Sequence, residues 1–239
     1  FSPVILVIAV ATVVTMLIYW AISAVFFRQD AAETMAGAAS SSYYNSVNIG
    51  LPIATYVLGD ATFVVPALVL QMAVLSPIVI AGLDRGAKGV GKSVVAGLTA
   101  PVVVAAFAGF AVSAASWTVP EPVLAPLEIL GGASIPLILM SFGASLTGEK
   151  VLTSHRGPTI TATALKLVGM PAVAWVVATL LGLDGQEMYA ALILCALPTA
   201  QNVYNYAATY RSGEVICRDT VFLTTFLALP AMLLIAGVF

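Results

Sequence analysis

The sequence predicts an all-α integral membrane protein, and three observations carry that prediction. The first is composition. Of 239 residues, 61% are hydrophobic and 8% charged, with a mean hydropathy of +1.06, whereas a soluble globule has about 25% charged residues. The second is distribution: a membrane helix needs roughly 20 apolar residues, and the chain divides into eight such stretches, at 2–27, 35–58, 61–83, 93–117, 123–147, 158–182, 187–210 and 219–239. No strand-like alternation runs through them, which argues against an outer-membrane barrel. The third is that two of these spans are interrupted in a matching way.

The loops set an orientation. Arg28 follows span one, Arg85, Lys88 and Lys92 follow span three, Lys150 and Arg156 follow span five, and Arg211 and Arg218 follow span seven. The alternate loops hold Asp60, Glu121, Glu128, Asp184 and Glu187 and no basic residue. Eight of the nine basic residues therefore share one side, which the positive-inside rule makes cytoplasmic. The expectation is a multi-pass protein of the cytoplasmic membrane that starts and ends outside. The formal net charge of −2 gives no reason to expect a nucleic-acid partner; the lipid bilayer is the partner that composition implies.

Span two contains Asn45-Ser46-Val47-Asn48-Ile49-Gly50-Leu51-Pro52, and span seven contains Ala196-Leu197-Pro198-Thr199-Ala200-Gln201-Asn202-Val203-Tyr204-Asn205. A proline removes a backbone donor and frees carbonyls, so such a break survives at membrane depth only where it is buried in protein or lines a cavity. A matched pair of breaks is the usual pointer to a carrier's binding site. The second broken span is the fourth of the five that follow the basic loop at 84–92. If the first half is the same unit inverted, its broken span is also fourth, and two further spans belong upstream of Phe1. Phe1 opens almost directly into an apolar run with no basic n-region and no small-residue cleavage site, so the start does not read as a signal peptide.

Residues around the breaks resemble a known family. Asn45 with Gly50-Leu51-Pro52, the run Gly131-Gly132-Ala133-Ser134-Ile135-Pro136 followed by Gly143-Ala144-Ser145-Leu146, and Ala196-Leu197-Pro198 with Asn202, Tyr210, Thr224-Thr225 and Leu229-Pro230 together resemble the auxin efflux carrier family of membrane transporters. The resemblance implies ten helices in two inverted five-helix repeats, eight of them in this chain, with two crossed, proline-broken helices. Residues 1–83 would be the remainder of the first repeat, 84–92 a cytoplasmic linker, and 93–239 the second repeat. Within the latter, 93–147 would be scaffold, a possible homodimer contact, and 158–239 transport domain. The short central loop is similar to bacterial members, some of which carry malate or malonate.

Helix physics gives the same residues a mechanism. A helix restarting after Pro52 or Pro198 presents unsatisfied N–H groups and the positive end of a dipole, equivalent to roughly half a charge. Two such ends make an anion site, with backbone around Ile53, Ala54, Thr199 and Ala200 and the amides of Asn45, Asn48, Gln201, Asn202 and Asn205 as orienting groups. Breaks at the prolines would place all four asparagines on the cytoplasmic side of the crossing, as a polar vestibule. Lys166 is the one basic residue outside the loops. At that depth a charge costs at least about 2.5 kcal/mol and marks a pathway or a partner, so Lys166 is expected to meet the substrate anion or a group on the upstream helices, or else to snorkel.

The candidate substrate-binding set is thus Asn45, Asn48, Gly50, Pro52, Ile53, Lys166, Pro198, Thr199, Gln201, Asn202 and Asn205. Other motifs fail on context. Gly86–Ser93 matches the phosphate-loop pattern letter for letter, but that chemistry needs a strand before it and a magnesium-binding acid. His155 is the sole histidine, too few for a His-based metal cluster or a triad. Cys195 lies within span seven and Cys217 near a cytoplasmic loop, where the compartment is reducing, so the two are expected not to pair. Gly131, Gly132, Ser134, Gly143 and Ser145 read as close helix packing. The expectation is no enzyme and no cofactor, but a secondary transporter of small organic anions, carboxylates, working by an elevator-type alternating-access mechanism. A sodium-coupled bile-acid-type carrier of related inverted-repeat fold is the alternative. A retinal-type photoreceptor with Lys166 as Schiff base, and a membrane hydrolase, lack a counter-ion and a nucleophile respectively.

Overall fold

A computed structural model describes residues 3–59, 63–84, 92, 95, 98–147 and 150–238. Gly86–Gly91 and Ser93 of the phosphate-loop match lie outside the described residues, as does Asp60. The described residues form helices and no strand. We number the helices α1 (Pro3–Phe27), α2 (Ala31–Ser42), α3 (Ser46–Gly50 as one widened π turn, then Leu51–Tyr56) and α4 (Val65–Leu70, a π turn at Gln71–Leu75, then Ser76–Leu83). There follow α5 (Pro101–Ala114), α6 (Glu121–Ser145), α7 (Arg156–Leu180), α8 (Gly185–Cys195), α9 (Gln201–Tyr210) and α10 (Glu214–Val238).

Among the described residues, four helices are long and apolar enough to cross a membrane: α1, Pro66–Leu83 of α4, α7 and α10. α2 with α3, and α8 with α9, work in pairs. With 12 residues in α2, 11 in α8 and 10 in α9, each half-helix reaches about 15–18 Å, half of a hydrocarbon core about 30 Å thick. Both broken spans therefore need two halves to cross. Asp30 starts α2 by accepting the Glu33 amide at 2.8 Å, an N-cap of the usual kind.

The body is a bundle in which α1 packs on α2, α7 and α8, while α10 packs on α2, α7, α8 and α9. Its core is built of small and aliphatic residues, among them Ala11, Ala174, Ala190, Ala191, Leu194 and Leu197. At the start of α10, Asp219 is fully buried; it accepts Arg218 Nε at 2.9 Å and the Leu152 amide at 2.8 Å, tying the loop before α7 to α10. Arg218, expected in a loop, is thus 7% exposed inside a helix.

By contrast α5 lies against α4, and α6 touches the body through α9. A β-carbon added at Gly131, Gly132 or Gly143 meets nothing within 4 Å. The close packing expected of these glycines is therefore not made with the described residues of this chain.

Candidate functional site

The first break forms before its proline. Ser40, Ser41 and Ser42 turn their hydroxyls back onto the carbonyls of Ala36 and Ala38, a local bond that competes with the helical ladder. Tyr43 then leaves the helix in extended geometry, with φ −79 and ψ 111. Both tyrosines are pinned on α4: Tyr43 Oη lies 2.6 Å from Ser76 Oγ, and Tyr44 Oη donates to the Ala67 carbonyl at 3.0 Å. Asn45 starts α3 by accepting the Asn48 amide at 3.2 Å. Pro52 corrects the sequence expectation: it sits exposed at the second position of Leu51–Tyr56, inside a helix and away from the break. Proline is tolerated there because the widened turn at Ser46–Gly50 directly precedes it, so the missing N–H falls where the regular i→i−4 ladder is already interrupted.

The second break does contain its proline. α8 ends at Cys195, and the residue before a proline is pushed out of helical geometry, so Leu197 and Pro198 run on without helix to Ala200, the N-cap of α9. No side chain caps that start.

The two breaks cross and pair with each other. Tyr44 and Thr199 form an antiparallel bridge; the Asn45 amide donates to the Pro198 carbonyl at 2.9 Å, and the Ala200 amide donates to the Tyr43 carbonyl at 3.0 Å. Tyr44 and Thr199 are both fully buried. Backbone groups that membrane depth would otherwise leave unpaired are thereby satisfied. Gly50 permits the approach: a β-carbon there would stand 2.9 Å from Leu197 Cδ1 and 3.2 Å from the Asn45 carbonyl oxygen.

A polar recess opens at this crossing, between the starts of α3 and α9. Asn45, Ser46, Asn48, Gln71, Gln201 and Asn202 line it together with Tyr44, Val47 and Ala200. Asn48 Nδ2 donates across to Gln201 Oε1 at 2.9 Å. Free space is about 20 Å³, enough for one water-sized group. A carboxylate enters only if the Asn48–Gln201 pair parts. The lining offers uncharged donors beside two helix N-termini, which suits an anion. A larger recess of about 380 Å³ between α4 and α5 is walled by Leu68, Val69, Met72, Phe107 and Phe110, with Ser113 as the one polar side chain among its described lining residues.

Four of the expected site residues therefore meet at the recess: Asn45, Asn48, Gln201 and Asn202. Gly50, Pro198 and Thr199 build the crossing behind it; Thr199 Oγ1 donates to the Ser40 carbonyl at 2.6 Å and its amide to Thr224 Oγ1 at 3.1 Å. Pro52, Ile53, Lys166 and Asn205 do not line it. Because the first break lies at Tyr43–Asn45, Asn45 sits at the crossing, and Asn48 and Asn202 reach the same recess from the starts of α3 and α9, while Asn205 lies a turn further along α9 and does not line it. The four asparagines do not share one vestibule.

Sequence reasoning missed Gln71. Buried in the π turn of α4, it donates through Nε2 to the Tyr44 carbonyl and accepts Ser46 Oγ at Oε1. A lone neutral amide in an apolar span was its one signal. Lys166, also in a π turn, is fully buried, and its Nζ donates to the Cys195 carbonyl at 2.7 Å and to Met170 Sδ at 3.1 Å. It does not snorkel. Cys195 and Cys217 are free and buried.

The chain is similar in sequence to membrane transporters. The family model described as Membrane transport protein matches residues 87–236. Over 233 residues the chain is 26% identical to a Rhizobium meliloti protein named "Putative malonate transporter", covering 92% of this chain and 72% of that one. Over 107 residues it is 28% identical to an uncharacterized transporter of Methanocaldococcus jannaschii, covering 45% of this chain and 34% of the relative.

Proposed function

Since the chain belongs to the membrane transport protein family, that of the auxin efflux carriers, we propose that it is a secondary carrier of small organic anions, with dicarboxylates of the malonate type as the first substrates to test. The observation that carries this reading is the recess at the crossing, where two helix starts and five uncharged amide side chains converge with no fixed charge among them. Helix N-termini stabilise an anion by roughly 0.3–1 kcal/mol each at exposed sites and by more where burial strengthens the field. Amide donors orient a carboxylate without holding it too tightly to release.

Transport then proceeds by alternating access. The unit carrying the crossing comprises 1–83 and 158–239, and α5 and α6, which touch it through α4 and α9, act as the scaffold against which it moves, in a homodimer joined through that scaffold. Two inverted repeats are the simplest origin of two antiparallel breaks. The basic loops face the cytoplasm, so α2 and α9 approach the recess from inside and α3 and α8 from outside.

Thermal unfolding of the purified protein with malonate, malate and monocarboxylates tests the substrate class. A true ligand at 100 times its Kd adds about 2.7 kcal/mol, a shift of roughly 5–10 °C for a chain of this size. Uptake of the stabilising anion into proteoliposomes is the expected companion result. A panel in which no carboxylate shifts unfolding overturns the reading.

A further inference from the structure

The severed C-terminus of α8 creates an electrostatic problem that the carrier reading does not address. A helix end leaves carbonyls without partners and behaves as roughly half a negative charge. In water, solvent screens it. Here Cys195, Ala196 and Leu197 are all fully buried. The Ala196 amide returns to Leu192 and Ile193, whereas the Cys195 carbonyl points at another element: it receives Lys166 Nζ at 2.7 Å.

Lys166 is built for that contact. It lies in the π turn Leu165–Gly169, which interrupts an otherwise regular α7; such turns insert one extra residue and redirect a side chain. The turn packs against α1, α2 and α10, so the amine has no route to solvent. Its other partner, Met170 Sδ at 3.1 Å, is a weak, uncharged acceptor one turn along the same helix. Neither partner is a carboxylate. The amine is therefore matched to the end of α8 and to no anionic side chain that these contacts show.

We infer that Lys166 is a positioning residue: a tethered cation that holds the severed end of α8 at the crossing, whose removal leaves a site for a small primary alkylammonium ion. Trimming Lys166 to alanine deletes three methylenes and the ammonium, the outline of n-propylammonium. What remains is a buried slot ending at the Cys195 carbonyl. The inference rests on the carrier reading only for its ligand readout.

The test is Lys166→Ala in the full chain, purified in detergent. Relative to the parent, its unfolding temperature is expected to fall by about 10 °C, the size of effect that follows loss of a buried charge partner. Millimolar n-propylammonium chloride restores about half of that loss by mass action, whereas choline chloride, too large and without N–H donors, and 1-propanol, the neutral analogue, do not. Equal rescue by 1-propanol shows that the slot needs filling and no charge, and overturns the inference; absence of rescue by any of the three also overturns it. Should the alanine variant fail to purify, recovery of folded, monodisperse protein from cells and buffers containing n-propylammonium, but not from equimolar choline, gives the same support, and no recovery in either is a refutation.

Lys166→Met, close in shape and uncharged, provides the second arm. It is expected to weaken malonate-dependent stabilisation at least tenfold while Lys166→Arg retains part of it, because the guanidinium keeps the charge in a bulkier form. Parent-like malonate binding by the methionine variant overturns the positioning role. If malonate does not stabilise the parent protein, the carrier reading fails and the alkylammonium rescue still decides this one.

Discussion

At Tyr43–Asn45 the chain leaves α2 behind three serines and re-enters helix under an asparagine cap, its peptide groups held by Gln71 and by tyrosines anchored on α4. At Ala196–Ala200 it leaves α8 behind a proline and re-enters helix with no side-chain cap, and the groups that hold it are a buried ammonium and two threonines. The first break is secured by neutral amides and hydroxyls on the recess side. The second is secured from behind, by a cation and by α10. Two solutions to the same backbone problem leave one face of the crossing uncharged, and that is the face an anion would use.

The largest expected effect comes from severing the link between the breaks. Asn45→Pro removes the amide that donates to the Pro198 carbonyl and also the cap on Asn48. An orphaned buried acceptor costs about 1–3 kcal/mol and a lost cap about 1 kcal/mol, so loss of folded protein on size-exclusion chromatography is expected. Parent-like unfolding would mean that the bridge contributes nothing.

Next comes the approach distance. Gly50→Ala places a methyl 2.9 Å from Leu197 Cδ1 and 3.2 Å from backbone and should cost about 1–3 kcal/mol through overpacking. Gly131→Ala, whose added β-carbon meets nothing within 4 Å among the described residues, should stay within about 0.5 kcal/mol. Equal effects at the two glycines would remove the distinction between crossing and periphery.

The prolines separate the breaks more finely. Pro52→Ala should not lower stability and should leave carboxylate-dependent stabilisation intact, since Pro52 is exposed within α3 and seven residues beyond the cap at the break. Pro198→Ala should weaken that stabilisation several-fold, because it loosens the segment that presents the start of α9. The reverse order would return the first break to Pro52.

The smallest energetic change reads the geometry most directly. After Cys195 and Cys217 are replaced, single cysteines at Asn48 and Asn202, which line the same recess, should react with an impermeant thiol reagent from one and the same side in a given state and be protected by substrate, whereas a cysteine at Asn205, outside the recess, should not be protected. Buried Leu192 and Ile193 should resist. Labelling of Asn48 and Asn202 from opposite sides in the same state would divide the recess in two.

How much of this was legible in the sequence depended on what breaks a helix. Pro198 marked its break correctly because an X-Pro bond acts on the residue before it. Pro52 misled, because seven residues upstream Ser40-Ser41-Ser42-Tyr43-Tyr44-Asn45 had already ended α2 through side-chain competition, a signal that rests on partners in α4. That shift alone puts Asn45 at the crossing as a cap and Asn48 in the turn that follows it. Lys166 announced itself by depth, but its partner is a peptide carbonyl, which no residue letter encodes. Gln71 was invisible for a related reason: one amide has no period. The glycines of α6 were read as packing sites, yet the surfaces they would pack against are not among the described residues of this chain.

The pairing of the breaks also bears on how such a chain is made. Asn48 and Gln201, which hydrogen-bond across the recess, are 153 residues apart. At about 5–20 residues per second, a ribosome needs roughly 8–30 s to supply the second after the first. For that interval the peptide groups of Tyr43–Asn45 are without the strand that satisfies them, in or beside the bilayer. Biogenesis of the crossing must therefore either shelter α2 and α3 in the insertion machinery or hold them at the aqueous interface until α8 and α9 emerge.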